Sequence, residues 1–148
     1  MLQFYTDGSC SLNNVTDISN DGCGGCATVV CKDGVIIKEI VEYYKNTTNN
    51  RMELRAVLNA LTVAESLTEE CEILIDSAYI VNCFEQKWYK KWLANGWKTS
   101  NRQAVKNVDL WKEIIHKYNR HSNRIKITKV KGHSGNEMNE RADSLATG

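Results

Sequence analysis

Four acidic residues, distant from one another in the sequence, lie at positions where their side chains could form one site. Asp7 follows the apolar run LQFYT and Asp76 follows CEILI, and each run is typical of a short strand. Glu53 and Asp143 instead lie on segments with helical periodicity. Carboxylate oxygens are the ligands that Mg²⁺ and Mn²⁺ prefer, whereas zinc prefers nitrogen and sulfur. The residue types therefore predict a site for divalent cations.

The position of Glu53 on its helix supports this prediction. At about 100° per residue, the polar stripe of this helix contains Arg55, Asn59, Thr62 and Ser66. The opposite arc contains the apolar residues Met52, Ala56, Val57, Ala60, Leu61 and Ala64. Glu53 falls in the middle of the apolar arc, so we expect it to face the core. Ligation of a metal ion would explain why the Glu53 carboxylate faces the core.

The apolar runs also predict the elements that position these acids, in the order βββαβααβα. We expect strands at 2–6, 23–32, 35–44, 71–75 and 124–130, and helices at 49–67, within 77–95, at 107–119 and at 136–146. Thr47 or Thr48 can cap the first helix. Strands joined by a crossover helix tend to lie parallel, with ligands at their carboxyl ends, so Asp7 and Asp76 should be neighbours. Asp143 borders the apolar stripe of the last helix, which contains Met138, Ala142, Leu145 and Ala146.

Two interpretations of the four acids stay open at this point. A cluster of carboxylates repels itself and raises the pKa of each member, and divalent cations would relieve that repulsion. Two such ions can hold the attacking water and the leaving oxygen of a phosphodiester. Alternatively, each acid is capped or paired separately, with Arg51, Arg55 or Arg141 as its partner.

The charge distribution favours a nucleic-acid partner. Net charge is only +1, but residues 87–131 hold 13 of the 19 Lys and Arg residues and two of the 18 acids. The same stretch holds all four tryptophans, Trp88, Trp92, Trp97 and Trp111. Basic groups interleaved with aromatics suit a phosphate backbone and the faces of sugars or bases. A solvated, lysine-rich helical face is the alternative.

Length and composition limit the remaining possibilities. A chain of 148 residues predicts a single domain, 1–148, and no apolar run approaches the roughly 20 residues of a membrane span. The N-terminus lacks a basic segment followed by an apolar one, so we expect a cytoplasmic, intracellular protein. Cys23 and Cys26 have CxxC spacing, but no second pair completes a zinc site. Small buried thiols are the expected state of the six cysteines.

Six motifs resemble type 1 ribonuclease H, in order and across nearly the whole chain. They are YTDGSC (5–10), TTNNRMEL (47–54), IDSAY (75–79), GWKT (96–99), VKNVDLW (105–111) and VKGHSGNEMNERAD (130–143). The resemblance implies the ribonuclease H-like fold, an α/β fold whose five-stranded mixed sheet has three antiparallel strands first and helices on both faces. It also implies an endoribonuclease that hydrolyses the RNA strand of RNA–DNA hybrids, leaving 3′-hydroxyl and 5′-phosphate ends.

The resemblance assigns roles to particular residues. Its metal-binding acids match Asp7, Glu53, Asp76 and Asp143, which implies two Mg²⁺ ions per active site, with Mn²⁺ as a substitute. The turn Gly132–Gly135 carries His133, which matches a histidine for proton transfer or product release. An imidazole with a pKa near neutrality suits that task.

Substrate contacts are also implied by the resemblance. Cys10, Asn49 and Asn50 match residues at the minor groove of the hybrid, where the RNA 2′-hydroxyl is read. Thr48 and Asn107 match a pocket for a phosphate of the DNA strand. The residues that match the DNA channel and its basic protrusion are Trp88, Lys90, Lys91, Trp97 and Lys98.

The chain departs from the family pattern in three places, one of which is the second half of the basic protrusion, where Leu93-Ala94-Asn95 is less basic than in many relatives. The loop 11–22 replaces a Gly/Pro-rich segment, and within it Asn13 and Asn14 are the candidate groove contacts. Ala78 stands where Gln or Asn is usual, so one amide that reads a base edge is lost. These departures concern hybrid affinity and the cleavage pattern rather than the chemistry.

Three further possibilities are weighed against this function. A relative that nicks or transfers DNA strands would carry three acids and lack the KGHSG turn, and a non-cleaving module would bind hybrids without cutting. The segment could also be a domain detached from a larger reverse-transcriptase-like chain. We expect a monomer whose partner is a hybrid duplex, with no separate hybrid-binding domain and no membrane attachment.

Overall fold

The computed structural model describes residues 1–10, 23–99, 101–130 and 137–147. Its strands are β1 Leu2–Cys10, β2 Gly24–Lys32, β3 Val35–Tyr44, β4 Cys71–Ile75 and β5 Ile125–Lys129. Its helices are α1 Asn49–Glu65, α2 Ala78–Glu85, α3 Trp88–Asn95, α4 Val108–His121 and α5 Glu137–Thr147. A single 3₁₀ turn, Ser122–Arg124, joins α4 to β5. The predicted order of strands is confirmed, but three helices rather than two lie between β4 and β5, because the segment 77–95 is divided into α2 and α3.

The five strands form one mixed sheet in the order β3-β2-β1-β4-β5. β1, β2 and β3 pair antiparallel, whereas β4 runs parallel to β1 and β5 parallel to β4. The predicted fold class is therefore confirmed. β1 is longer than expected, because Asp7 through Cys10 continue to pair with β2 as far as Gly24.

Helices cover both faces of the sheet. Leu2 and Phe4 of β1 point into the larger core, beneath α1, α2 and α4, while Tyr5 points to the opposite face beneath α5. This alternation follows from the two-residue period of a strand. Each large apolar side chain buried in this way contributes about 2 kcal/mol. Ala142 and Ala146 are buried on the underside of α5, as its apolar stripe predicted.

Two buried threonines at the midpoints of β1 and β2 bond to neighbouring elements. The Thr6 hydroxyl donates to the Leu74 carbonyl over 2.9 Å, and the Thr28 hydroxyl donates to the Ala56 carbonyl over 2.8 Å. The first contact holds β1 against β4 and the second holds β2 against α1. Thr48 is the residue that caps α1, since its hydroxyl oxygen accepts from the Arg51 N–H.

The cysteines contribute apolar bulk rather than cross-links. Among the described residues there is no disulfide, and four of the six cysteines are buried. The Cys26 thiol lies between β2 and α1, donating to Glu42 over 3.8 Å. Desolvation there, together with the Glu42 charge, raises the pKa of Cys26 to about 12. Within the same described ranges, none of the helices is both long and apolar enough to cross a membrane.

Candidate active site

The parallel pairing of β1 and β4 brings Asp7 and Asp76 together. Tyr5 pairs with Leu74, and each acid lies two residues further along its own strand direction. Asp7 is still within β1, where it pairs with Ala27 and is buried, while Asp76 directly follows β4 and is half-buried. The predicted meeting of these two carboxylates is thus a consequence of strand register.

Glu53 reaches the same place from the first turns of α1. One carboxylate oxygen from each of Asp7, Glu53 and Asp76 lies within 4.8 Å of the others. Gly8 makes this approach possible, because a Cβ added there would overlap the backbone of Met52 and Glu53. Among the described residues, this is the cluster of acids, cysteines and histidines with the spacing of a metal site.

Asp143 joins the acids through Asp7. It lies half-buried on α5, and its side chain is within hydrogen-bonding reach of the Asp7 carboxyl. It stands outside the group of three mutually adjacent oxygens. The structure therefore brings all four predicted acids to one end of the sheet, with three in a tight group and the fourth beside Asp7.

Burial and mutual repulsion shift the titration of two of these acids strongly. Desolvation, the hydrogen bond with Asp143 and the charge of Asp76 raise the pKa of Asp7 to about 8. Desolvation followed by the charges of Asp76 and Asp7 raises the pKa of Glu53 to about 9. The backbone N–H of Gly8 opposes both shifts only in part. Without a cation, Asp7 and Glu53 therefore stay protonated at neutral pH, where ordinary carboxylates are ionised.

The alternative of separate arginine pairs is wrong for these acids. Arg51 pairs with Asp109 over 2.8 Å, and Arg141 pairs with Glu39 over 2.7 Å. Arg55 instead stacks over the Tyr44 ring, with its Cζ 4.6 Å from the ring centroid. The three nearby guanidinium groups thus have other partners.

One oxygen of Glu53 shows that the donor set fits a metal ion. Its Oε2 is buried and has no hydrogen-bond partner in the structure. A buried carboxylate oxygen without a partner is costly unless a cation or a proton satisfies it. An all-oxygen set of carboxylates suits Mg²⁺ or Mn²⁺ rather than zinc.

The predicted minor-groove contacts lie next to the acids. Cys10 ends β1 half-buried, with its thiol 3.7 Å from the Thr47 carbonyl. The next residues, Thr48, Asn49 and Asn50, are exposed at the N-terminus of α1. The end of β1 and the start of α1 therefore present one polar edge beside the carboxylates.

A groove of about 380 Å³ separates α2 from the segment after α3. Its lining residues are Tyr79, Trp88, Lys91, Trp92, Asn95, Lys98 and Thr99. Three of these, Trp88, Lys91 and Lys98, are predicted substrate contacts. Lys90 is exposed on α3 but does not line the groove.

Trp97 lies elsewhere than the other channel residues. It stacks against Trp92 with ring centroids 5.9 Å apart and lines a second groove between α3 and α4, together with Leu93 and Lys112. The predicted contacts Asn13 and Asn14, and the predicted catalytic residue His133, lie outside the described residues.

Three residues of this region escaped prediction. Tyr79 is 45% exposed and its ring lies 5.7 Å from that of Trp88, a contact that follows from the fold and not from local sequence. Gly8 had a visible signal, since a glycine inside a strand often marks a close backbone approach. Arg51 was considered as a partner for the acids, but its partners are Asp109 and Asn107.

Comparison with known proteins identifies the family. The family model described as RNase H matches residues 1–148. The chain belongs to the ribonuclease H family. Membership confirms the predicted activity, that of an endoribonuclease that cleaves the RNA strand of RNA–DNA hybrids. Ribonucleases H depend on divalent metal ions, and the acidic cluster described above fits that dependence.

Relatives within the ribonuclease H family are similar along the whole chain. The ribonuclease H of Acetivibrio thermocellus is 48% identical over 99% of this chain and 92% of its own length. LC9-RNase H1, a type 1 RNase H with the type 2 active-site motif, is 31% identical, with a TM-score of 0.79 over 99% of this chain and 70% of that one. LC11-RNase H1, solved with an RNA/DNA hybrid, shares the fold at 22% identity, with a TM-score of 0.70 over 99% of this chain and 94% of that one.

Proposed function

We propose that the chain cleaves hybrids with two Mg²⁺ ions held by Asp7, Glu53, Asp76 and Asp143, leaving 3′-hydroxyl and 5′-phosphate ends. The observation that carries this proposal is the group of three carboxylate oxygens within 4.8 Å of one another. The unpartnered Oε2 of Glu53 supports it, because a cation would satisfy that atom. Bound ions would supply activation of water and stabilisation of the leaving 3′-oxygen.

The chain's own residues hold the reacting centre in place. Gly8 lets α1 lie against β1, so that Glu53 faces Asp7 and Asp76 across a fixed gap. Asp143 reaches the same centre from α5, on the other face of the sheet. The raised pKa values of Asp7 and Glu53 imply that cation binding displaces protons from the cluster near neutral pH. We assign proton transfer during the reaction to His133, on the resemblance of its motif.

Recognition of the hybrid is divided between two surfaces in this proposal. The polar edge formed by Cys10, Asn49 and Asn50 reads 2′-hydroxyls of the RNA strand in the minor groove. The groove that contains Trp88, Lys91 and Lys98 holds the deoxyribose strand by stacking and by phosphate contacts. LC11-RNase H1, which shares this fold, was solved with an RNA/DNA hybrid, and this supports the assignment of substrate. The proposed enzyme is a cytoplasmic monomer.

A comparison of duplexes tests the proposal. Labelled RNA–DNA, RNA–RNA and DNA–DNA duplexes are incubated with the protein, each with Mg²⁺, with Mn²⁺ and with a chelator. We expect cleavage of the hybrid's RNA strand alone, dependent on Mg²⁺, with 5′-phosphate ends on the products. Cleavage of DNA would favour a strand-nicking relative, and tight binding without cleavage would favour a non-cleaving module.

A further inference from the structure

We propose that Arg51 is a positioning residue, which orients the Thr48 hydroxyl and the Asn107 amide as a pair of donors to one phosphate of the DNA strand. The inference rests on the proposed function and on the family resemblance, which matches Thr48 and Asn107 to a pocket for a phosphate of that strand. Arg51 lies in the first turn of α1 and links the two residues, through its backbone to one and its guanidinium to the other.

The backbone of Arg51 determines what the Thr48 hydroxyl can do. The Arg51 N–H donates to Thr48 Oγ1 over 3.2 Å, in the capping contact of α1. Since the hydroxyl oxygen accepts this bond, the hydroxyl proton remains available to donate outward. Thr48 is exposed, so an anionic oxygen of a ligand can reach it.

The guanidinium of Arg51 determines which end of the Asn107 amide faces outward. Arg51 Nη1 donates to Asn107 Oδ1 over 3.1 Å. An amide whose carbonyl oxygen is held inward presents its NH₂ group, with two donors, on the other side. Asn107 precedes α4 with a φ of 58°, yet its side chain makes no capping bond. Asparagine is a favoured capping residue, so the contact with Arg51 replaces the usual role of this side chain.

Asp109 fixes the plane of the guanidinium. Arg51 Nη1 and Nη2 donate to its two carboxylate oxygens over 3.1 and 2.8 Å. This pairing raises the pKa of Arg51 and lowers that of Asp109. A two-pronged arginine–carboxylate pair fixes orientation in a way that a lysine ammonium cannot. Because Asp109 balances its charge, Arg51 acts by orienting neighbours rather than by attracting the phosphate itself.

The chain contains a matched control for this contact. Lys117 of α4 pairs with Glu65 of α1 over 2.7 Å, at the opposite end of the same two helices. Loss of either pair removes one ion pair between α1 and α4. Only loss of the Arg51 pair disturbs Asn107, because the backbone N–H of residue 51 keeps its bond to Thr48 in every variant, so the two variants separate positioning from general stability.

The first experiment measures steady-state cleavage of a hybrid by Arg51→Lys, Asp109→Asn and Lys117→Ala. We expect KM to rise about tenfold in the first two variants, as for the loss of one hydrogen bond to a charged group, with kcat within twofold of the parent. Lys117→Ala should stay within twofold in both. Thermal melting by circular dichroism checks that each variant is folded. If Arg51→Lys does not fold, Asp109→Asn tests the same contact.

The second experiment uses hybrids in which a single DNA phosphate at a time is a neutral methylphosphonate. Binding is measured in the non-cleaving Asp7→Asn background. One position should weaken binding to the parent protein about tenfold, and Arg51→Lys should lose that sensitivity. An unchanged KM in Arg51→Lys, a change equal to that of Lys117→Ala, or retained sensitivity to the methylphosphonate would overturn the role of Arg51. Failure of the parent protein to cleave any hybrid would instead overturn the proposed function.

Discussion

Gly8 lies against the backbone of Glu53 with no room for a side chain between them. The Gly8 N–H also hydrogen-bonds the carboxylates of both Asp7 and Glu53. One glycine in β1 thus sets the distance between a strand and a helix that each carry an acid. The geometry of the cluster depends on a residue that has no side chain to ligate anything.

Replacing this glycine should therefore separate the acids. Gly8→Ala puts a Cβ into the backbone of Met52 and Glu53, so α1 must shift away from β1. We expect a loss of about 3 kcal/mol in the free energy of unfolding, as for severe overpacking, and at least tenfold weaker Mg²⁺ binding. Urea denaturation measures the first effect and isothermal titration the second.

Gly34→Ala is the control for that substitution. Gly34 lies in the β2–β3 turn with a φ of +79°, and no heavy atom lies within 4 Å of an added Cβ. Backbone strain alone should destabilise this variant by about 1 kcal/mol and leave Mg²⁺ affinity unchanged. If Gly8→Ala bound Mg²⁺ as tightly as the parent, the close approach would not be what assembles the site.

Removing one charge from the cluster should stabilise the metal-free protein. At pH 9, above its pKa of about 8, Asp7 is ionised, and Asp7→Asn then keeps the shape of the side chain but removes a buried charge and its repulsion with Asp76 and Asp143. We expect a higher melting temperature in the presence of a chelator, no cleavage of a labelled hybrid in Mg²⁺, and hybrid binding close to that of the parent. Differential scanning calorimetry and a gel-based cleavage assay measure these properties.

Asp33→Asn makes the same chemical change at an exposed turn residue and should alter none of the three properties. A lower melting temperature for metal-free Asp7→Asn, relative to this control, would argue against a crowded cluster. Retained cleavage would remove Asp7 from the catalytic residues.

The raised pKa values of Asp7 and Glu53 also predict how stability depends on pH. The ordinary values are 3.8 and 4.5, and the folded values are about 8 and about 9. Between these limits the folded protein retains protons that the unfolded chain releases, so the contribution of these two groups to stability is fully present below about pH 4 and is lost as pH rises toward 8 or 9. The slope is at most about 1.4 kcal/mol per pH unit for each group.

Melting temperatures at pH 5 and pH 8, with a chelator and with Mg²⁺, check this dependence. We expect the metal-free melting temperature to fall between the two pH values, and Mg²⁺ to restore it at pH 8 by binding the ionised cluster. The pKa values of Glu39 and Asp109 are lowered by their arginine partners, so the stability from those pairs is lost only at lower pH. A flat metal-free profile would show that neither burial nor mutual repulsion raises the pKa of these two acids.

The sequence predicted the order of elements well and their ends less well. Periodicity identified α1 because a long helix repeats its apolar face several times. β1 was cut short at Thr6, since Asp7, Gly8 and Ser9 are typical turn residues, and pairing with β2 overrides that local preference. The break between α2 and α3 falls at Lys87, whose φ of 56° has no signal in its residue type.

The residues of the candidate site also differ in how far the sequence predicts them. Glu53 was predictable, because an acid in an apolar arc conflicts with its surroundings and calls for a reason. The orientation of Asn107 was not, because it depends on Arg51, which is distant in sequence and comes near only when α1 packs on α4. A residue whose type conflicts with its neighbours on the same element can be recognised from the sequence. A contact between two elements can be recognised only once the fold is known.

The basic groove should contribute to hybrid binding through charge. Lys91 and Lys98 line it and form none of the ion pairs found among the described residues. If each neutralises one phosphate, Lys91→Ala or Lys98→Ala should reduce the slope of log K against log salt by about 0.7–0.9. Fluorescence anisotropy with a labelled hybrid in the Asp7→Asn background measures this slope.

Two further variants separate charge from stacking in the groove. Trp88→Ala removes a ring but no charge, so binding should weaken by about 1–3 kcal/mol with the salt slope unchanged. Lys32→Ala removes a lysine that pairs with Glu69 over 3.2 Å, away from the groove, and should change neither affinity nor slope. If the lysine variants in the groove kept the parent slope while Lys32→Ala lowered it, the hybrid would have to bind on another face of the protein.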